Sequence, residues 1–328
     1  MKQEFGQLSH WWNGTFEQIK GYYCSRKYNG WSVISDGGIT KGKNARDIPW
    51  FKKDKDVIST GLWTLGRSTK RNNSNTDVLN APEYFINKLP KGVPVHGEVW
   101  YNDRIDIIKQ VCGTKKWFDP MWANLKFMAF NMKPYSKWEN DINHSINIGT
   151  LLQPEYINRK YSEVYDDLIS LKESLNNNTF DVVTSVKLLT IEDLRQMQET
   201  SIKHNWEGLM FTNPDGLYEC GRSYNSLKWK TQCETEGIVI GYENGKTGKN
   251  IGKIGSIKAN VLWDEQVLSV FGGDHIHVGK EAFFSIGGLN ENEHDNCKEL
   301  YPIGSKIKFS FYGVSIHGVP QSCNIYRE

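Results

Sequence analysis

At 328 residues the chain is long enough for two domains or one large one. Its net charge of +2, 38% hydrophobic content and 12% aromatic content exclude a globally basic surface but still allow substantial cores. No apolar run approaches the ~20 residues of a membrane span, MKQEFGQLSHWW lacks an apolar signal core, and six cysteines without a Cys-x-x-Cys pair argue against a disulfide framework or zinc site. A soluble, cytoplasmic protein is expected.

Short strands and turns open the chain, at Tyr22–Arg26 and at Trp31–Ser35 ahead of Asp36-Gly37-Gly38. The Asn29-Gly30 pair after a β-type run signals a hairpin, which makes Lys27 the last strand residue before the turn. Ala81-Pro82 followed by Glu83–Ile86 predicts a short helix with proline at its first turn, ending before Leu89-Pro90. Val93–Val99 and Leu125–Phe130 are apolar, β-prone runs. Glu155–Leu175 carries Tyr161, Val164, Tyr165, Leu168, Leu171 and Leu175 at helical spacing, and Asn176-Asn177-Asn178 breaks it. A second helix begins near Thr190, whose Thr-x-x-Asp pattern with Asp193 resembles a capping box, and runs to about His204. Strands are expected at Leu209–Thr212, Tyr218–Cys220 and Leu227–Lys230.

After Lys230 the texture changes. Glu236–Tyr242, Gly255–Leu262 and Gln266–Phe271 read as strands between glycine-rich turns, Gly279–Ile286 as a short helix, and Ser305–Tyr312 as an alternating strand. This pattern predicts a small β-barrel such as an OB-fold. A boundary near Gln232 gives domains of residues 1–232 and 233–328.

Charge is uneven along the chain. Lys41 to Arg71 holds nine Lys/Arg against three Asp, interleaved with Trp50, Phe51 and Trp63, whereas Glu155 to Glu199 holds nine acids against five bases. A local basic, aromatic segment suits contact with a phosphate backbone; a solvated lysine-rich loop gives the same pattern.

Five segments follow Lys27 in order: Gly61-Leu62-Trp63-Thr64-Leu65-Gly66-Arg67, His96-Gly97-Glu98-Val99-Trp100, Lys126-Phe127-Met128-Ala129-Phe130-Asn131, Glu207-Gly208-Leu209-Met210 and Leu227-Lys228-Trp229-Lys230. Glu236-Gly237-Ile238-Val239-Ile240-Gly241-Tyr242 then opens the barrel-like tail. Each segment has an ordinary reading: Phe130 as core, Glu98 and Glu207 as solvent-facing carboxylates, Lys228 and Lys230 as alternation around Trp229, and Arg67 as one base in a basic loop. Order and spacing together resemble the nucleotidyltransferase motifs of ATP-dependent DNA ligases, particularly the compact phage type, from about Tyr22 to the C-terminus.

The resemblance implies an α+β fold, with an adenylation (nucleotidyltransferase) domain of antiparallel sheets and flanking helices followed by the OB-fold barrel. It implies that Lys27 attacks the α-phosphate of ATP and holds AMP, that Arg67 touches the 5′-phosphate side of a nick, and that Glu98 contacts the ribose. Phe130 would stack on adenine, Glu207 would help hold Mg²⁺ or Mn²⁺, and Lys228 and Lys230 would contact the α-phosphate. The implied protein is a monomer that seals nicked duplex DNA in repair, replication or recombination, with a tail that swings between closing on ATP and gripping the duplex. No further DNA-binding domain is expected before Tyr22.

The chemistry asks for these residue types independently. A lysine of ordinary pKa is neutral in about one molecule in 2,500 at pH 7, so neighbouring cations help to activate it. Phosphoryl transfer needs chiefly positioning and charge stabilisation. The chain departs from the family at four places: Asn29, His96 and Asn131 stand where Asp is usual, and Ser32 where Arg is usual. Asn29 hydrogen-bonds but cannot act as an ionised carboxylate. An RNA ligase, less readily an mRNA-capping guanylyltransferase, and a catalytically weakened nick- or end-binding module are the alternatives.

Overall fold

The structure, a computed structural model, describes residues 6–48, 51, 56–64, 77–113, 120–133, 159–204, 206–230, 232–246, 248–263, 278–315 and 317–327. The chain divides into two compact units, Met1–Met197 with Leu209–Trp229, and Gln198–Gly208 with Lys230–Glu328. Both are built from sheets with few helices. Among the described residues no helix is long and apolar enough to cross a membrane.

The first unit holds two sheets. One runs in the order Asp77–Val78, Leu62–Thr64, Trp31–Ser35, Val95–Trp100, Lys126–Met132, Phe180–Val182; the other in the order Gln7–Trp11, Gly221–Trp229, Leu209–Thr212, Tyr23–Arg26, Ser185–Lys187. Neighbours are antiparallel except Lys126–Met132 with Phe180–Val182 and Gln7–Trp11 with Gly221–Trp229. The expected antiparallel sheets thus each carry one parallel pair at an edge.

Strand alternation sends Val33, Val95, Val99, Phe127 and Ala129 into the core. There they meet Phe85 and Ile86 of the helix Glu83–Ile86, Ile108 and Val111 of Ile105–Gly113, and Val164 and Leu168 of Tyr161–Leu175. Each of the valine, leucine, isoleucine and phenylalanine side chains stabilises the fold by roughly 1.5–3 kcal/mol when fully buried.

A register shift interrupts that alternation. His96 pairs with Asn131 and Gly97 with Ala129, so Phe130 is the extra residue of a bulge. Phe130 and Asn131 consequently both line the same cavity, while Met132 returns to the core. Gly97 permits the close approach: a Cβ there would lie 2.6 Å from the Met128 carbonyl oxygen and 2.6 Å from the Phe127 ring.

The helix ends follow the expected chemistry. Thr190 Oγ1 accepts from the Asp193 N–H at 3.2 Å, and Asp193 Oδ2 accepts from the Thr190 N–H at 2.7 Å, which starts the helix Ile191–Lys203. Asn176 takes the left-handed conformation, φ 41°, and ends Tyr161–Leu175. That helix begins at Tyr161 rather than Glu155, and residues 155–158 lie outside the described residues.

Several expectations fail for identifiable reasons. Tyr23–Arg26 and Trp31–Ser35 do not form a hairpin. The first pairs with Leu209–Thr212 and Ser185–Lys187, and the second with Leu62–Thr64 and Val95–Trp100, so the intervening residues cross from one sheet to the other. Neither Asn29 nor Gly30 has the positive φ of a type I′ turn. Tyr218–Cys220 is not a strand; the strand is Gly221–Trp229, which stops short of Lys230.

The second unit is a five-stranded antiparallel sheet in the order Glu281–Ile286, Ile254–Leu262, Cys233–Asn244, Lys306–Phe311, Asn324–Ile325. Val239, Ile257, Ala259, Ile286, Ile307 and Phe309 form its core. Gly279–Ile286 was expected to be a helix, but Glu281–Ile286 is a strand. Its Ala282 and Ile286 are buried while Phe283 is 60% exposed, a two-residue period satisfied by pairing with Ile254–Leu262. The helix Glu291–Leu300 of this unit is started by reciprocal bonds between Asn290 and Glu293 and inserts Cys297 into the core. Gln266–Phe271 lies outside the described residues.

Candidate functional site

The first unit contains a cavity of about 180 Å³ bounded by both of its sheets. Lys27 lies on it directly after Tyr23–Arg26, with Nζ 3.4 Å from the Tyr28 carbonyl oxygen. Glu98 and Phe130 line it from two adjacent strands, and Lys228 from the other sheet. Four of the sequence-predicted site residues are thus brought together: Lys27, Glu98, Phe130 and Lys228. Glu207 and Lys230 belong to the second unit, where they pair with each other at 2.5 Å. Arg67 lies outside the described residues.

Gly30 explains how the Lys27 segment sits on the larger sheet. Its N–H donates to Glu98 Oε2 at 3.0 Å. A Cβ at Gly30 would stand 2.7 Å from the Val99 carbonyl oxygen and 2.8 Å from Glu98 Oε2. Glycine is required here by close approach rather than by a turn.

The departures Ser32, His96 and Asn131 are neighbours in space. Ser32 Oγ lies 3.4 Å from His96 Nε2, and His96 and Asn131 are register partners. The His96 ring lies 4.5 Å from the Phe130 ring, centroid to centroid. Asn131 Nδ2 donates to Gln7 Oε1 at 3.1 Å. Burial, followed by the charge of Lys133, pushes the His96 pKa down to about 3. A neutral imidazole thus stands at the position where the ligase motifs that the sequence resembles usually have an acid.

The N-terminal strand Gln7–Trp11 supplies residues that sequence reading missed. Gln7 and Ser9 line the cavity, and Ser9 Oγ lies 2.7 Å from Ser226 Oγ. Trp11 pairs with Lys228 in the parallel ladder, and Lys228 Nζ sits 4.7 Å from the centre of the Trp11 ring. The Trp12 N–H donates to the Lys228 carbonyl oxygen at 2.9 Å. Tyr218, buried below this wall, bonds His96 and Gln7. The only advance signal was the alternation in QLSHW, which is too short to separate from a loop.

The arrangement can hold an aromatic base beside Phe130 and polar groups beside Glu98, with two lysines facing the same space. Among the described residues no group of three or more His, Cys, Asp or Glu side chains could by itself hold a metal ion.

No protein-family model matches the sequence. A curated protein named DNA ligase from Haemophilus influenzae is 24% identical over 283 residues, which is 85% of this chain and 86% of that protein. A solved structure described as "DNA binding with a minimal scaffold: Structure-function analysis of Lig E DNA ligases" matches with a TM-score of 0.65 at 24% identity, covering 98% of this chain and 97% of that one. Another, Pmar-Lig_PreS3, matches with a TM-score of 0.68 at 16% identity, covering 100% of this chain and 68% of that one. The fold is shared with these structures.

Proposed function

We propose that this chain is an ATP-dependent DNA ligase that seals nicks in duplex DNA. The convergence of Lys27, Glu98, Phe130 and Lys228 on one cavity carries the reading. The similarity to a protein named DNA ligase over most of both chains supports it. The first unit is the nucleotidyltransferase domain in this reading, and the five-stranded antiparallel sheet of the second is its OB-fold.

Lys27 acts as the nucleophile. Its neutral amine forms a bond to the α-phosphorus of ATP as the bond to the β-phosphate oxygen breaks, pyrophosphate departs, and the amine proton is lost. A 5′-phosphate oxygen at the nick then takes the AMP, which releases Lys27. The 3′-hydroxyl attacks that activated phosphate and AMP leaves. Phe130 holds the adenine by stacking, Glu98 accepts from the ribose, and Lys228 and Lys230 neutralise charge on the α-phosphate. Arg67 is assigned to the 5′-phosphate of the nick.

Glu207 is the residue assigned to a divalent metal. Mg²⁺ binds through one or two carboxylates together with substrate phosphates; Glu207 pairs with Lys230 in the structure, so it would hold the ion by exchanging that partner once a phosphate is bound. When bound, the ion supplies charge neutralisation at the phosphates.

The test is incubation with α-labelled ATP and Mg²⁺ after stripping pre-bound AMP with pyrophosphate. An acid-labile label that Lys27→Ala abolishes is expected, followed by sealing of nicked DNA in preference to nicked RNA. Absence of label on the stripped wild-type protein overturns the enzyme reading. Equal or better sealing of RNA overturns the choice of polymer.

A further inference from the structure

The residues on both sides of Lys27 are tied to one short segment of the neighbouring sheet. Asp103 pairs with the Arg26 guanidinium, and its other oxygen accepts from Trp100 Nε1 at 2.8 Å. The Arg26 guanidinium lies 4.8 Å from the centre of the Tyr28 ring and 5.5 Å from that of Trp100. Tyr28 meets Trp100 edge-on, with centroids 5.2 Å apart. Arg26, Lys27 and Tyr28 all line the cavity. An ion pair, two cation–π contacts and one aromatic contact therefore bracket a single residue, Lys27.

The backbone of that segment carries an independent sign. Asn102 and Asp103 have φ of 43° and 56°, two of only four non-glycine residues with positive φ among the described residues. Asn and Asp take this conformation more readily than other non-glycine residues, but two in succession are still less favourable than glycine, and such conformations gather where function holds them. A turn that merely reversed the chain after Val95–Trp100 is better served by glycine. What glycine cannot supply is the carboxylate that reaches Arg26 and Trp100 together.

We propose that Asp103 is a positioning residue for Lys27: it fixes Arg26 and Trp100, and through them Tyr28, so that the intervening amine is held toward the cavity. The proposal rests on the reading of Lys27 as the nucleophile. Lysine carries its amine on a flexible four-carbon stem, and a displacement of about 1 Å from the attacking position lowers a rate by about a hundredfold. Holding Arg26 and Tyr28 fixes the backbone from which the Lys27 stem departs, and with it the region the amine can reach; Nζ itself lies 3.4 Å from the Tyr28 carbonyl oxygen.

Asp103→Gly separates this role from a structural one, because glycine suits the left-handed backbone while abolishing the carboxylate. The protein is expected to stay folded with a lower Tm, because the Arg26 guanidinium and the Trp100 N–H lose their partner; below that Tm the single-turnover rate of lysyl-AMP formation falls about 10- to 100-fold while the KM for ATP changes less than about threefold. Asp103→Asn keeps an acceptor for Trp100 and is expected to recover part of the rate. An unchanged rate in Asp103→Gly, or a loss confined to KM, overturns the proposal. The clamp is also read without ATP, by labelling Lys27 with pyridoxal phosphate, trapping the imine with borohydride and quantifying the modified peptide. Slower labelling in Asp103→Gly is expected; equal labelling overturns the clamp. If wild-type protein takes no AMP yet the labelling difference is present, the ligase reading fails and the clamp stands.

Discussion

Tyr218 joins Gln7 to His96 through one buried hydroxyl: it accepts from the Gln7 N–H at 3.1 Å and lies 3.0 Å from His96 Nδ1. The opposite ring nitrogen, Nε2, lies 3.4 Å from Ser32 Oγ. The tautomer of the neutral imidazole sets which way both bonds run, so a proton on one nitrogen leaves the other as an acceptor. Ser32 in turn lines the cavity. One backbone N–H and three side chains thereby form a single chain of contacts that ends at the cavity.

Acid sensitivity follows from that neutral imidazole. The folded pKa of His96, pushed down to about 3, lies below its ordinary value near 6.5. Between those values the unfolded chain binds the extra proton, so stability is complete above about pH 6.5 and falls as pH drops toward 3. The slope from this one group reaches about 1.4 kcal/mol per pH unit. Urea unfolding from pH 7 to 5 measures it, and His96→Gln is expected to flatten the dependence across that range.

Tyr218→Phe removes one oxygen from a buried site and deprives both the Gln7 N–H and His96 Nδ1 of a partner. A loss of roughly 2–3 kcal/mol is expected, because the stranded groups remain desolvated. Calorimetry reads the loss. The same variant is expected to shift the tautomer balance of the imidazole, which nitrogen NMR of the histidines detects.

Gly30→Ala is expected to fold and to adenylate slowly. The new methyl group would overlap the Val99 carbonyl oxygen and the Glu98 carboxylate, so the Lys27 segment must lift off the strand. A fall of about a hundredfold in the adenylation rate is expected for a displacement near 1 Å. A rate within about threefold of wild type would show that the close approach does not position Lys27.

Phe130→Ala is expected to act on nucleotide affinity before rate. Stacking of a base on an aromatic ring contributes about 1–3 kcal/mol, so the KM for ATP should rise roughly 5- to 150-fold. Phe130→Tyr keeps a ring and should stay near wild type. Equal KM in the alanine variant removes Phe130 from base recognition.

Much of the fold was legible where a residue's own chemistry decides its place. Thr190 with Asp193 starts a helix and Asn176 ends one because the bonds are local. The hairpin at Asn29-Gly30 and the helix at Gly279–Ile286 were misread because distant partners decide them: Leu209–Thr212 captures one strand and Ile254–Leu262 the other. The same division runs through the site. Lys27, Glu98, Phe130 and Lys228, singled out by the resemblance of their ordered segments to ligase motifs, share one cavity, whereas Gln7, Trp11, Tyr218 and Asp103 owe their positions to tertiary contacts.

The parallel ladder between Gln7–Trp11 and Gly221–Trp229 also sets a schedule for synthesis. Gln7 bonds Tyr218 across 211 positions of chain, so one cavity wall waits on the ribosome until the strand bearing Lys228 has emerged. Closing so long a loop is slow and entropically unfavourable, which makes this ladder a late event in folding. If the first unit binds ATP as proposed, capture of the nucleotide by a nascent chain should begin only after Trp229 clears the exit tunnel.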